Sequence, residues 1–552
     1  MSKTDTLFNI LKVLFAFIFS FLANIAYITP MFFYERTVPM VPIYVSFIPF
    51  FSKKIDQAYI WFRYFEPKIH KSGIVKVYFA GRWNYLVNDP EYLNQLFKHE
   101  HSLFHKSGND QKIPNSLLAY YTGTNIISAH GKQWRVFRQA LLPCFLKFEK
   151  YTIAFENANK LNLLILEQIK QNQSDLYVYA STSNDTILAV SNKKEKTVDS
   201  LETTSFNLKT SGYLKSFNVN ELIQKLCLDN ISTIAFGFSL RTLDNPNSPL
   251  YLNLNRIKKD IFKPIFMAFP FLDKFPLKER IKTKKHIDFF KENLLNEVKK
   301  HLVDNYQYEQ ETYLNAGANL VKENSKGNIS KNELLDNLVI LLIAGHENPQ
   351  LLLTSLIYIL GKYRVYQDKL RLNFMKLKEL YKSDTDILDY LKKDVILTSI
   401  IYETVRLYPP IGNLVNRIAA KDCYLTSSRN KPIFIKKGTY IGYNNFGLQR
   451  RTDVWGKDAN KFVPERWGCN IDEVSDQWKT RKFLAQIGAF HGGNRNCIGE
   501  EISLNIMRIT MFKMITELEW KLSSDWIEKI TPAGPISPFQ LKIDIKQVYN
   551  KN

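Results

Sequence analysis

Cysteine is scarce in this chain. The five present (Cys144, Cys227, Cys423, Cys469 and Cys497) are odd in number, widely spaced and free of any C-x-x-C pair. A disulfide framework and a zinc finger are therefore excluded, and a reducing compartment is expected. Acidic residues are also short, 53 against 75 Lys plus Arg, which leaves a net charge of +22. That excess suits nucleic acid, an anionic membrane surface or an acidic protein partner, but no nucleic-acid-binding motif accompanies it, so nucleic acid is set aside. Repeats of fixed period are absent, as is any linker dividing two cores, which excludes solenoids and argues for one large domain. The composition of disorder is missing too: 45% of residues are hydrophobic and 14% aromatic, ample material for a packed core.

What is present begins with an apolar run. From Val13 to Tyr34 no residue is charged, and a helix of about 22 residues spans about 33 Å, enough to cross a bilayer core. The run is longer than the apolar part of a usual signal peptide and has no clear A-x-A site, so residues 1–36 read as a membrane anchor. Lys3 and Lys12 precede it, whereas Arg36, Lys53 and Lys54 follow, which favours a cytosolic body. Residues 37–59, with Pro39, Pro42 and Pro49, read as a stiff, non-helical connection, and residues 60–552 as the body.

The body opens with a strand pair, Ile74–Phe79 and Tyr85–Val87, and then turns mainly helical to about residue 408. The polar stretches 181–215 and 304–332 read as surface insertions or loops. The expected class is mainly α with small β-sheets. A central helix follows the Ser330/Glu333 capping box and runs to about Leu360, apolar on all sides and so buried. Into it the sequence sets Ala344-Gly345-His346-Glu347-Asn348-Pro349, a polar patch that costs stability and points to function. Pro349 lacks an N–H, so the helix is expected to open near Gly345. A last helix is expected from Glu500 to Trp520.

Just before that helix stands Phe490-His491-Gly492-Gly493-Asn494-Arg495-Asn496-Cys497-Ile498-Gly499. Glycines at 492, 493 and 499 let backbone approach a flat ligand, and nearby N–H groups can bond a thiolate and lower its pKa. Arg495 supplies a cation for an anionic ligand group. One thiolate without neighbouring Cys or His ligands suits a heme iron better than zinc or an iron–sulfur cluster.

The pattern Phe490, Gly493, Arg495, Cys497, Gly499 resembles the heme-binding loop of the cytochrome P450 family. Trp134-x-x-x-Arg138, Glu403-x-x-Arg406 and Phe462-x-Pro464-Glu465-Arg466-Trp467 are similar, in order, to the family's C-helix, K-helix and meander motifs. The resemblance covers roughly residues 60–550 and implies the cytochrome P450 fold, one large heme-thiolate domain, with heme b as cofactor. It implies Cys497 as the axial iron ligand, with Trp134, Arg138, Arg417 and Arg495 contacting the heme propionates. Glu403, Arg406 and Arg466 would be structural. Glu347 and Asn348 would stand at the oxygen site as catalytic residues. It further implies an NADPH-cytochrome P450 reductase as partner, the endoplasmic-reticulum membrane as location, and a catalytic domain facing the cytosol.

One position departs from the family pattern. Where a Thr usually follows the acidic residue, this chain has Asn348, whose amide donates hydrogen bonds but is no hydroxyl relay, so proton delivery must use water or Glu347. The stretch Ala344–Gln350 resembles the fungal dityrosine-forming members, which join two N-formyltyrosine molecules into N,N′-bisformyldityrosine for the spore wall. A coupling site must hold two rings with reacting carbons about 3 to 3.5 Å apart and offer cations to the carboxylates. Candidates lie between Lys106 and Lys132, a region that also holds Tyr120 and Tyr121. The alternatives are a monooxygenase hydroxylating a lipid, alkane or xenobiotic, and a heme-binding membrane protein without turnover.

Overall fold

The structure is a computed structural model that describes residues 38–52, 54–146, 151–182, 212–306 and 315–548. The expected anchor and most of the stretch 181–215 lie outside these residues, and no helix among the described residues is long and apolar enough to cross a membrane.

In chain order the elements that build the site are β1 (Ile74–Phe79), β2 (Arg82–Val87), α1 (Pro90–Lys98), β3 (Phe104–Lys106), α2 (Gly131–Leu146), α3 (Thr152–Thr182), β4 (Leu214–Phe217), α4 (Asn220–Phe236) and α5 (Pro249–Ile261). They continue with α6 (Lys278–Tyr306), α7 (Ala316–Ser325), α8 (Lys331–Lys362), α9 (Val395–Leu407), β5 (Asn413–Ala419), β6 (Cys423–Leu425), β7 (Ile433–Ile435), β8 (Tyr440–Asn444), α10 (Glu500–Glu517), β9 (Leu518–Leu522) and β10 (Ile543–Gln547). Helices dominate, and the strands form sheets in the orders β1-β2-β8-β5-β3, β4-β10-β9 and β6-β7. The fold is thus mainly α with small sheets.

The hairpin is longer than its apolar pattern suggests. Ala80 and Gly81 both adopt positive φ, 53° and 76°, as a two-residue turn matching strand twist requires. Pairing therefore resumes at Arg82 instead of Tyr85. β2 then runs parallel to β8, which comes more than 300 residues later, so this sheet closes only after the helical body has been laid down.

Helix α8 crosses the body. Ser330 caps it by accepting from the Glu333 amide at 3.2 Å while the Glu333 carboxylate accepts from the Ser330 amide at 2.7 Å. Leu338, Leu353, Leu356 and Leu360 are fully buried. Contrary to the expected opening, the helix runs unbroken through Pro349. Burial on most faces holds the turn together despite one missing backbone hydrogen bond. Beside it, α4 comes so close that a Cβ on Gly345 would sit 2.2 Å from Cγ1 of Ile231.

Three further expectations need correction. Residues 37–59 are not a bare connection: Ile43–Phe47 and Ile48–Phe51 are helical turns, and Val38, Val41 and Val45 are buried. The Val41 amide donates to the Lys76 carbonyl at 2.9 Å, tying this segment to β1, and its prolines sit where turns begin, Pro42 as an N-cap and Pro49 in a first turn. Within 304–332, the described residues hold helix α7, capped by the Asn315 side chain on the Ala318 amide. There Ala316, Gly317 and Ala318 are small because α7 packs tightly, with Gly317 facing Val298 and Phe236, and the polar composition concealed it. The last helix stops at Glu517, and Trp520 lies in β9, where Leu518 and Trp520 are buried on alternate residues as a strand demands.

Candidate active site

Ahead of α10 the Cys497 loop folds back on itself. The Cys497 amide donates to the Phe490 carbonyl at 2.9 Å and the Asn496 amide to the Gly493 carbonyl at 3.2 Å. Gly493 stands at φ 62°, and a Cβ on Gly492 would meet the Phe97 ring of α1 at 2.4 Å, so larger residues would push the loop off α1. At Gly499 a Cβ would meet nothing within 4 Å, and this glycine lines a cavity. The cavity, of about 270 Å³, lies between α2, α4, α8, the α9–β5 turn and the Cys497 loop. Its far wall is apolar, built from Ile126, Ile231, Ile340, Leu341, Leu352 and Leu414.

Cys497 opens onto this cavity, its sulfur bonded by the Gly499 amide. The sequence pointed to a lowered thiol pKa. Instead, although the side chain is exposed toward the cavity, desolvation by the surrounding protein pushes it up to about 11, overriding the Gly499 amide and the charges of Lys482 and Arg138. Without a metal cation the group stays a thiol at neutral pH, whereas coordination deprotonates it.

Beside Cys497 lies a buried knot of cations. Lys106, Arg417 and Arg495 are 5%, 0% and 8% exposed, with Glu100, 1% exposed, as their one acidic neighbour. Lys106 Nζ and Arg417 Nη2 approach His491 Nε2 at 3.1 and 2.8 Å, so that nitrogen accepts. Nδ1 then carries the proton toward the Tyr443 hydroxyl at 2.6 Å. Burial, followed by the Lys106 and Arg417 charges, holds the His491 pKa well below the usual histidine range, so the ring is neutral. Burial and the neighbouring guanidinium groups likewise lower Lys106 strongly. Nε of Arg417 is buried without a partner. Two buried guanidinium groups and Lys106 share the single carboxylate of Glu100, a costly excess of positive groups that ligand carboxylates would relieve, restoring the Lys106 charge as well.

The expected site residues do come together, with differences in detail. Trp134, Arg138, Arg495 and Cys497 line the cavity, and Arg417 stands one layer behind, reaching it through His491. Arg138 donates to the Asn496 carbonyl at 2.9 Å and its side-chain oxygen at 2.8 Å, so it braces the Cys497 loop. Arg495 pairs with Glu100, donates to the carbonyls of Ile126 and Ala129, and lies 4.3 Å above the Trp134 ring. On α8, Asn348 faces the cavity, its amide 3.4 Å from the Ala344 carbonyl. Glu347 does not line it: the carboxylate pairs with Lys258 of α5 at 2.8 Å.

Of the cations expected to meet substrate carboxylates, Lys106 belongs to the knot and Lys112 is tied to the Val415 carbonyl at 2.8 Å. Tyr120 bonds Asp288 away from the cavity, and Tyr121 is buried with an unpartnered hydroxyl. Sequence reasoning missed Lys106, His491 and Tyr443 as one group. His491 sits in a variable position of the loop, and no sequence signal singled it out; in the structure it stands at a left-handed φ of 64°.

Glu403 is fully buried and accepts from Arg406 at 2.7 and 2.8 Å, Arg466 and the Val463 amide at 3.0 Å, and Trp467 at 3.1 Å. This knot ties α9 to the segment before the Cys497 loop and is structural, as expected.

The sequence pattern of the cytochrome P450 family matches residues 39–543. The chain belongs to the cytochrome P450 family. It is 37% identical over 542 residues to Cytochrome P450-DIT2 of Saccharomyces cerevisiae, covering 98% of this chain and 99% of that one. It is 27% identical over 507 residues to Cytochrome P450 monooxygenase xanG of Aspergillus fumigatus, covering 90% and 85%, and 25% identical over 500 residues to Cytochrome P450 3A16 of Mus musculus, covering 80% and 92%. Cytochromes P450 are oxidoreductases that carry heme b with a cysteine thiolate on the iron. The site fits such a group: a thiol facing a mainly apolar cavity, a glycine with open space above it, and a buried excess of positive groups nearby.

Proposed function

We propose that this chain is an oxidase that couples two N-formyltyrosine molecules to N,N′-bisformyldityrosine for spore wall assembly. The observation that carries the reading is the end-to-end likeness to Cytochrome P450-DIT2, together with Asn348 at the cavity wall where an oxygen-inserting member would place a hydroxyl. Two phenols, dioxygen, NADPH and a proton balance against one dimer, NADP⁺ and two waters, so no oxygen atom enters the product.

In this reading Cys497 would hold the heme iron, and Lys106, Arg495 and, through His491, Arg417 would hold the heme carboxylates. The heme supplies the oxidising power drawn from dioxygen and reductase electrons. Arg138 and Trp134 fix the Cys497 loop against α2. The apolar wall from Ile126 to Leu414 excludes water and stacks the two phenol rings. Asn348 orients groups by hydrogen bonding without passing protons along a hydroxyl chain. Lys258 holds the Glu347 carboxylate, one residue before Asn348 on α8, as an acid–base group.

The same reading includes a membrane anchor in residues 1–36, attachment to the endoplasmic reticulum with the body in the cytosol, and an NADPH-cytochrome P450 reductase as electron donor. One surface supports the membrane: Phe262, Ile265, Phe271, Phe275, Leu277 and Ile281 are exposed together with Lys274, Lys278 and Lys282. Phe269 of this surface stacks on Phe47 at 5.8 Å, bringing the start of the body beside it.

The apolar cavity wall favours a second reading, a membrane-bound monooxygenase acting on a lipid, alkane or xenobiotic. Mass spectrometry of products from the purified chain, a reductase, NADPH and N-formyltyrosine in air separates the two. A dimer lacking two hydrogens, absent with Cys497→Ala, supports coupling. NADPH-dependent hydroxylation of a fatty acid with N-formyltyrosine unchanged would overturn it.

A further inference from the structure

Four of the nine histidines of the chain, His99, His101, His105 and His130, fall within about thirty residues, and three of them meet outside the cavity, where the turn after α1, strand β3 and the turn before α2 converge. The His105 ring stacks on His130 with centroids 4.1 Å apart, and the His101 ring lies 5.8 Å from His130. Ligand atoms of Glu100, His101 and His130 all lie within 4.8 Å of one another. One of these donors is under-used: Nδ1 of His130 is buried with no hydrogen-bond partner, while Glu100, 1% exposed, pairs with Arg495 through one carboxylate oxygen.

We propose that Glu100, His101 and His130 bind a divalent transition cation of zinc type. Two imidazoles and one carboxylate form a donor set that such ions take, with a remaining position for water or for His105. Metal–ligand bonds of about 2.0 to 2.2 Å place neighbouring ligand atoms about 3 to 4 Å apart, so the set closes by a short inward movement. His101 is exposed and supplies it by changing rotamer. The buried Nδ1 of His130 lacks a partner, and binding would bring a cation to the ring that carries it. Because Glu100 also pairs with Arg495, occupancy is linked to the cation knot beside Cys497.

The test is zinc alone, titrated into the heme-loaded full chain against a chromophoric chelator. One equivalent should bind with micromolar affinity or tighter, weakened about tenfold or more by His101→Ala and by His130→Ala and unchanged by His70→Ala, an exposed histidine elsewhere. Heme content per chain serves as the folding control for the His130 variant, and His101→Ala alters only an exposed side chain. Saturating zinc should also raise the Tm of the parent and not of His101→Ala. Equal zinc affinity in the parent and the doubly substituted chain, or no zinc-dependent rise in the parent, would overturn the site.

Discussion

Glu403→Gln tests whether the knot below the Cys497 loop holds the fold as the geometry requires. Five donors converge on this one carboxylate, from Arg406 twice, Arg466, the Val463 amide and Trp467, and both Glu403 and Arg406 are fully buried. An amide of the same shape keeps one acceptor oxygen but turns an NH₂ toward donors, and it withdraws the charge that answers two guanidinium groups. Breaking a buried ion pair from one side costs about 3–5 kcal/mol. Arg406 keeps its bonds to the carbonyls of Gln449, Ala459 and Lys461, which places the amide variant near the lower end, about 3 kcal/mol. Glu403→Ala, with no acceptor, belongs at the upper end. Equilibrium urea unfolding of the heme-loaded chain, followed by far-ultraviolet circular dichroism, measures both. A Glu403→Gln chain within about 1 kcal/mol of the parent would refute the reasoning, because it would mean that the carboxylate charge is not what answers Arg406 and Arg466.

Gly345→Ala would drive a Cβ into Ile231 and should cost about 1–3 kcal/mol, with Ile231→Ala in the same chain recovering much of it; additive losses would contradict the contact. His346 is fully buried, and burial, then the Lys258 charge, lowers its pKa from 6.5 to about 4. The unfolded chain therefore takes up a proton between pH 6.5 and 4 that the native ring refuses. Stability falls with pH across that window by up to about 3 kcal/mol, and thermal unfolding of His346→Gln should show a correspondingly shallower fall. Arg417→Leu should release heme about tenfold faster to a heme-scavenging globin, but leave unchanged the release of a heme whose carboxylates are esterified. If both forms were released equally, the cation knot would not be the carboxylate site. Cys497→Ala should abolish the thiolate signature of the reduced carbon monoxide adduct, and its survival would move the axial ligand elsewhere.

Elements set by local rules were legible. The Ser330/Glu333 box marks the start of α8 because capping is a contact between residues three apart, and the Cys497 loop is legible because its glycines, cation and thiol are neighbours in sequence. What escaped depends on distant partners. Trp520 continues a helical pattern until β10 offers it a strand, and Ala316–Ser325 looks like a polar loop until Val298 and Phe236 supply the surface that its small residues fit. The thiol of Cys497 was expected to ionise because its donors are local, whereas the burial that keeps it protonated comes from the whole cavity.

The cation knot shows the same division at the level of function. Arg495 and Arg417 could be named from their motifs, but Lys106 reads as one lysine among many until β3 pairs with β5 and sets Lys106 opposite Arg417. That register brings Lys106 and Arg417 onto one nitrogen of His491, whose pKa is held low by burial first and by these charges second. A lysine and two arginines buried with a single carboxylate are unfavourable by themselves, and a ligand that carries two carboxylates would reverse the balance. In the proposed reading the sheet would contribute to cofactor binding alongside the Cys497 loop. A substitution that shifts the β3–β5 register should weaken heme retention while leaving the loop motif untouched.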